Sequence, residues 1–252
     1  MLGPVSEILL RSRGQKFKQA QRDPMEAQER AFQRLRRKSA SITANCYQDF
    51  IKDSKPQSYQ NIEPEFKNQL ESPQKSKLVF AAITSGTTGP RKKIPINTEV
   101  AHIFKKSQLT LASILLEKTG QNPIVSPSVT WTGPANLGHL DSGLPYGLIS
   151  GFLSGNAPKF LRKQRFPSEL CNELCNLEEK ADALAIECRD QDIRFIAAMP
   201  NYMQQLSRTL NRKLSLNNLS ELWPNLEALI FSGSPIGPYR DELKKSLGKD
   251  LP

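Results

Sequence analysis

This 252-residue chain has little of several things, and each scarcity excludes a class of protein. Its four cysteines, Cys46, Cys171, Cys175 and Cys188, show no framework spacing, so a disulfide scaffold is excluded and reduced thiols are expected. Cys171 and Cys175 stand at helical i,i+4 spacing, but His102 and His139 are the only histidines, which argues against a metal site. No apolar run approaches the roughly 18 residues of a membrane span. The opening residues Met1–Leu10 lack the basic start and long apolar core of a secretion signal. A cytoplasmic protein without a membrane span is therefore expected. Aromatic residues make up only 7% of the chain and are not interleaved with the basic ones, which argues against a nucleic-acid partner.

What the chain has in excess is positive charge, a formal +10 at pH 7. Residues 1–60 carry 12 Lys or Arg against 6 Asp or Glu, so much of the excess lies at the front. Such a leader suits an acidic partner, an anionic surface or a plain solvated helix face. Residues 1–22 show no sustained period and read as a basic, flexible or partly helical tail, dispensable for folding. The length suits one large domain or two small ones.

The most distinctive stretch runs from Thr84 to Lys93. Ten residues there hold four hydroxyls, two glycines and three cations, directly after the apolar run Leu78–Ile83. An apolar run of strand formers that ends abruptly in such residues reads as a buried strand feeding a tight loop. Glycine lets the backbone approach a ligand closely, and consecutive N–H groups form a concavity suited to an anion. Thr84, Ser85, Gly86, Thr87, Thr88, Gly89 and Lys92 are therefore candidate ligands of a polyphosphate, with ATP the natural choice. The loop is not of the Walker type, which counted from Gly86 requires glycine at the position of Arg91. A plain connection is the bland alternative. The order hydroxyl, glycine, two hydroxyls, glycine and then cations sets this loop apart from one.

These residues resemble a known group. The string Thr84–Lys92 is similar to the phosphate-loop signature of the adenylate-forming superfamily. Its continuation, Lys92-Lys93-Ile94-Pro95, resembles the acyl-acid amido synthetases of the auxin-responsive Gretchen Hagen family and their bacterial relatives. Leu222-Trp223-Pro224-Asn225-Leu226 and Ser232-Gly233-Ser234 resemble later segments of the same family. The resemblance implies an α/β fold, a mostly parallel sheet flanked by helices. It implies a partial N-terminal adenylation domain over residues 23–252, behind a helical leader. It also implies ATP and Mg²⁺ as cofactors, and as partners a small-molecule carboxylic acid and an amine such as that of an amino acid. Ser232, Gly233 and Ser234 would lie near the adenine or the acyl group. No catalytic residue is singled out.

The family's Tyr-x-Ala-Ser-Glu segment and its C-terminal lid domain are not found before Pro252. The expectation is thus a fragment, a truncated product or half of a split enzyme that binds without turning over. Two alternatives stand beside the amide-forming reading. One is a thioester-forming ligase of the acyl-CoA synthetase kind, and the other is a non-catalytic basic binding module that keeps the fold.

Local signals fill in the rest. Asp23, Pro24 and Glu26 mark a helix start. Residues 49–77, with Pro56, Pro64 and Pro73, read as loop. Thr98 reads as the cap of a helix running through Lys118 and ended by Gly120, its positive end aimed at bound phosphate. Ser168 to Cys188 reads as one long helical stretch. The strands at 193–199 and 226–231 alternate with helices from Asn201 and Pro238. The loops after Ile83, Met199 and Phe231 are expected to meet at one crevice at the strands' carboxyl ends.

Overall fold

A computed structural model describes residues 2–251 other than Ala40, Ser85, Thr87, Thr88, Pro158 and Cys175. In chain order the elements are α1 (Leu2–Arg22), α2 (Pro24–Arg36), α3 (Tyr47–Asp53), α4 (Tyr59–Glu71), β1 (Leu78–Ile83), β2 (Lys93–Asn97) and α5 (Thr98–Thr119). There follow β3 (Ser128–Thr130), β4 (Gly138–His139), β5 (Pro145–Gly147), α6 (Ile149–Gly155), α7 (Lys159–Arg162), β6 (Arg165–Phe166) and α8 (Glu169–Asn172). The chain ends with α9 (Leu177–Cys188), β7 (Phe195–Ala197), α10 (Pro200–Leu214), β8 (Ala228–Ile230) and α11 (Arg240–Leu247).

The strands form two four-stranded sheets. One has the order β6-β3-β7-β8 and is parallel throughout. Its crossovers run through helices, as parallel pairing requires. On one face Val129 and Ile196 pack with Leu184 of α9, Leu206 and Leu210 of α10, and Trp223. Pro200 opens α10 at a position where its missing N–H is harmless, and Met203, Leu206 and Leu210 follow at helical spacing as its buried stripe. On the other face Leu115 of α5 packs against Phe195 and Ala228. The fold class is α/β, with a parallel sheet flanked by helices.

The second sheet, β2-β1-β5-β4, is mixed. β1 pairs antiparallel with β2 and parallel with β5, and β4 returns antiparallel on β5. The strand carrying the Thr84–Lys93 loop therefore lies in a different sheet from the strands before Met199 and after Leu226. Pro95 sits in β2, an edge strand, where the absence of an N–H is tolerated.

Four expectations change. Residues 2–22 form a helix docked on α5: Leu10 is buried, Arg13 Nε donates to Thr110 Oγ1 at 2.8 Å, and Asn122 Nδ2 donates to Ser6 Oγ at 2.9 Å. The docked face is Ser6, Leu10 and Gly14 at i,i+4 spacing, a single apolar residue between a hydroxyl and a glycine, so no apolar period marks it. The supposed loop at 49–77 contains most of α3 and all of α4, and Pro64 lies inside α4. Tyr59, Phe66 and Leu70 give α4 its apolar side, with the Tyr59 and Phe66 rings edge-on at 6.2 Å. The stretch from Ser168 to Cys188 breaks in two, because the Asn176 side chain accepts the N–H groups of Glu178 and Glu179 and starts α9 afresh.

The fourth change concerns α5. The register Leu78↔Asn97 and Ile83↔Lys93 carries the chain back along β1 before α5 begins. The start of α5, capped by Asn97 rather than Thr98, thus lies at the opposite end of β1 from the loop, about 17 Å away at about 3.4 Å per residue. A helix dipole acts within its own first turn. It gives the loop nothing here.

Candidate functional site

β1 is an interior strand: Ala81 is fully buried, Ala82 nearly so, and pairing on both sides leaves the strand rigid up to Ile83. The chain then leaves the sheet. Thr84 N donates to Lys92 O at 3.0 Å, and Lys92 N donates to Thr84 Oγ1 at 2.9 Å, so two hydrogen bonds close the base of the loop. Because Thr84 Oγ1 accepts from the backbone, its own O–H proton is left to donate elsewhere. Gly86 has φ +72°, and a Cβ there would stand 2.8 Å from Arg91 Cγ, so the turn needs glycine for both conformation and space. Gly89 is exposed. Ser85, Thr87 and Thr88, three of the candidate phosphate ligands, lie outside the described residues.

Arg91, Lys92 and Lys93 are exposed, and none forms an ion pair with another described residue. Lys92 Nζ stands 4.6 Å from the centre of the Tyr59 ring of α4, a cation–π contact that holds the ammonium without neutralising it. Sequence reasoning misses Tyr59, because the prolines around α4 hide the helix that presents it. The aromatic spacing Tyr59, Phe66 was the available signal. Beside the loop opens a cleft of about 830 Å³, walled by Tyr59, Phe66, Arg91, Lys93, His139 and Tyr146. His139, the histidine of β4, is thereby brought beside the loop's cations.

The other candidate residues lie past the parallel sheet. Ser232, Gly233 and Ser234 follow β8; Gly233 has φ +88°, and a Cβ there would meet Met199 Cε at 3.0 Å. The loops after β7 and β8 therefore touch. No hydrogen bond among the described residues joins either to the Thr84–Lys92 loop, which is tied to its own base. The loop after β3 is fixed separately: the Glu173 carboxylate accepts the N–H groups of Ala135 and Asn136 at 3.0 and 3.1 Å. Buried Lys180 donates to the carbonyls of Thr132 and Asn172. The three carboxyl ends of β3, β7 and β8 thus present an ordered rim.

The fold is shared with acyl acid amido synthetases. A solved structure of GH3.15 acyl acid amido synthetase matches 86% of this chain and 48% of its own, with a TM-score of 0.59 at 12% identity. A structure of AtGH3.15 acyl acid amido synthetase in complex with 2,4-DB matches 80% of this chain and 45% of its own, with a TM-score of 0.55 at 14% identity. The chain spans about half the length of these structures. Neither the protein-family models nor the curated proteins searched gave a match. No described helix is long and apolar enough to cross a membrane. Among the described residues no group of three or more His, Cys, Asp or Glu could cage a metal ion.

Proposed function

We propose that this chain supplies the nucleotide-phosphate site of a ligase that activates a carboxylic acid with ATP and passes the acyl group to an amine. The observation that carries the reading is the loop itself. A glycine-dependent turn at the end of a rigid interior strand sets Arg91 and Lys93, neither in an ion pair among the described residues, on the wall of a cleft of about 830 Å³, with Lys92 beside it against Tyr59. The shared fold supports it, and the Lys92-Lys93-Ile94-Pro95 spacing favours an amine over a thiol as acceptor.

In the reaction, a carboxylate oxygen attacks the α-phosphorus and pyrophosphate leaves with the bonding electron pair. An acyl-adenylate results. An amine then attacks the carbonyl, AMP departs, and the amine proton is lost to a base. The protein's part is to position the reactants and offset charge. Thr84 would donate its hydroxyl proton to a phosphate oxygen, and the loop amides would add further donors. Lys92 would exchange its ring contact for the phosphate charge, with Tyr59 holding its stem in place. Ser232 and Ser234 would face the nucleoside or acyl portion.

Comparing ligands tests this. ATP should bind more tightly than AMP, and adenosine most weakly, when each is titrated into the purified chain. Equal affinity for ATP and adenosine would remove the loop from any phosphate role.

A further inference from the structure

α1 has two faces, and α5 covers only one of them. Leu10 is buried there, and Gly14 lies close to Ser113. At about 3.6 residues per turn, Val5 and Ile8 stand roughly opposite Leu10, with Leu9 beside them. These three aliphatic residues are 59, 69 and 64% exposed. Asn122 Nδ2 donates to Gly3 O at 3.3 Å and to Ser6 Oγ at 2.9 Å, which fastens this end of the helix to the turn after α5. Val125, whose N–H donates to Asn122 O in that turn, is exposed as well. Single exposed apolar side chains are ordinary, but a contiguous group marks a contact surface.

The rest of the helix is basic, with Arg11, Arg13, Lys16, Lys18 and Arg22 against Glu7 alone. Glu7 pairs with Arg11, and Glu117 of α5 pairs with Lys18. Arg13 donates to Thr110 Oγ1, which carries no charge. Lys16 and Arg22 are exposed, and neither forms an ion pair with another described residue. Lys16 follows Leu9 on the same side of the helix, about two turns on. A protein partner is usually held by aromatic side chains seated in pockets, and Val5, Ile8 and Leu9 offer a convex aliphatic row instead. A bilayer asks for no matching shape. Aliphatic side chains enter its acyl boundary while Lys and Arg keep their charges among the headgroups. The excess of positive charge suits an anionic surface and gains nothing from a neutral one.

We propose that the outer face of α1 docks on an anionic lipid bilayer, with Val5, Ile8 and Leu9 entering the acyl boundary and Lys16 and Arg22 meeting the headgroups. The helix lies along the surface and does not cross it. So short an apolar row is a weak anchor by itself, and charge must complete it, so the association is reversible. α5 grips α1 by the opposite face, so docking leaves the burial of Leu10 intact. The proposal does not depend on the ligase reading.

Vesicle flotation tests it, with phosphatidylcholine alone and with phosphatidylcholine and phosphatidylserine in equal parts. The protein should float with the mixed vesicles at low salt, stay behind with the neutral ones, and be released as salt rises. Val5→Gln combined with Ile8→Gln should lower the partition coefficient by about tenfold or more, because two aliphatic side chains no longer leave water. Lys16→Gln should lower it about fivefold, the worth of one basic residue near such a surface. All three side chains are exposed, so the melting temperatures should match wild type. Should the double variant fail to fold, Leu9→Gln decides in its place, with an expected loss of about threefold to tenfold. No binding to the mixed vesicles, or equal binding to both kinds, overturns the proposal. So does undiminished binding of the folded apolar variant, which would assign retention to general positive charge. A dimer in ultracentrifugation that the double variant loses, without vesicle binding, would give this face to a second copy of the chain and overturn it too.

Discussion

The two sheets differ in what surrounds them. The parallel sheet sits in a continuous core reaching from Val129 and Ile196 through Leu184 and Leu210 to Trp223 and Leu243. The mixed sheet is covered by smaller, separate clusters, Phe80 with Ile96 and Phe152 on one side and Leu70 with Ala81 and Leu144 on the other. The candidate phosphate loop hangs from the second. Its strand is fixed by pairing on both edges, so the loop's footing depends on backbone hydrogen bonds more than on side-chain burial. Stability is concentrated in one part of the molecule and the proposed chemistry begins in the other, as is common where a site must admit a ligand.

Three stability measurements would break or sharpen that contrast. The largest effect is expected at Trp223, which is fully buried and donates its indole N–H to Cys188 O at 3.3 Å. Trp223→Ala should destabilise the protein by about 3–5 kcal/mol in urea unfolding. A loss under 1 kcal/mol would mean that the parallel-sheet core does not dominate stability. Next comes Leu10, buried where α1 meets α5. Leu10→Ala should cost about 2–5 kcal/mol, and a melting curve indistinguishable from wild type would return residues 2–22 to the status of a tail. The most direct comparison uses one substitution in both sheets. Ile196→Val in the large core should fall nearer the top of the range of about 0.5–1.5 kcal/mol, and Ile96→Val nearer the bottom. The reverse order would contradict the contrast.

The same contrast explains what could be read from the sequence. Local signals with a fixed geometric meaning survived folding unchanged. The apolar run Leu78–Ile83 is β1, Asp23 accepts from Glu26 N at 2.9 Å, and Gly120 ends α5 in the left-handed conformation. Arrangement between elements was harder to see. β2 looks like the tail of a loop motif because it starts with cations and contains Pro95, yet pairing with β1 makes it a strand and turns α5 away from the loop. α1 docks through Ser6, Leu10 and Gly14, a face with one apolar residue and no apolar period, met by Ser113 and Asn122. The candidate loop was legible because its chemistry is contiguous in the chain. Tyr59 was not, since it gains meaning only from Lys92, far away in sequence.

The central claim is that the Thr84–Lys92 loop holds nucleotide phosphate, and ATP calorimetry on wild type and Lys92→Ala tests it most directly. Lys92 is exposed, and among the described residues its side chain meets the Tyr59 ring, so its loss should leave the melting temperature nearly unchanged. A charge-assisted phosphate contact is worth about 1.5–3 kcal/mol. The account predicts that Lys92→Ala binds ATP more weakly by about tenfold to a hundredfold while binding adenosine as wild type does. Equal ATP affinity in the two proteins would contradict it.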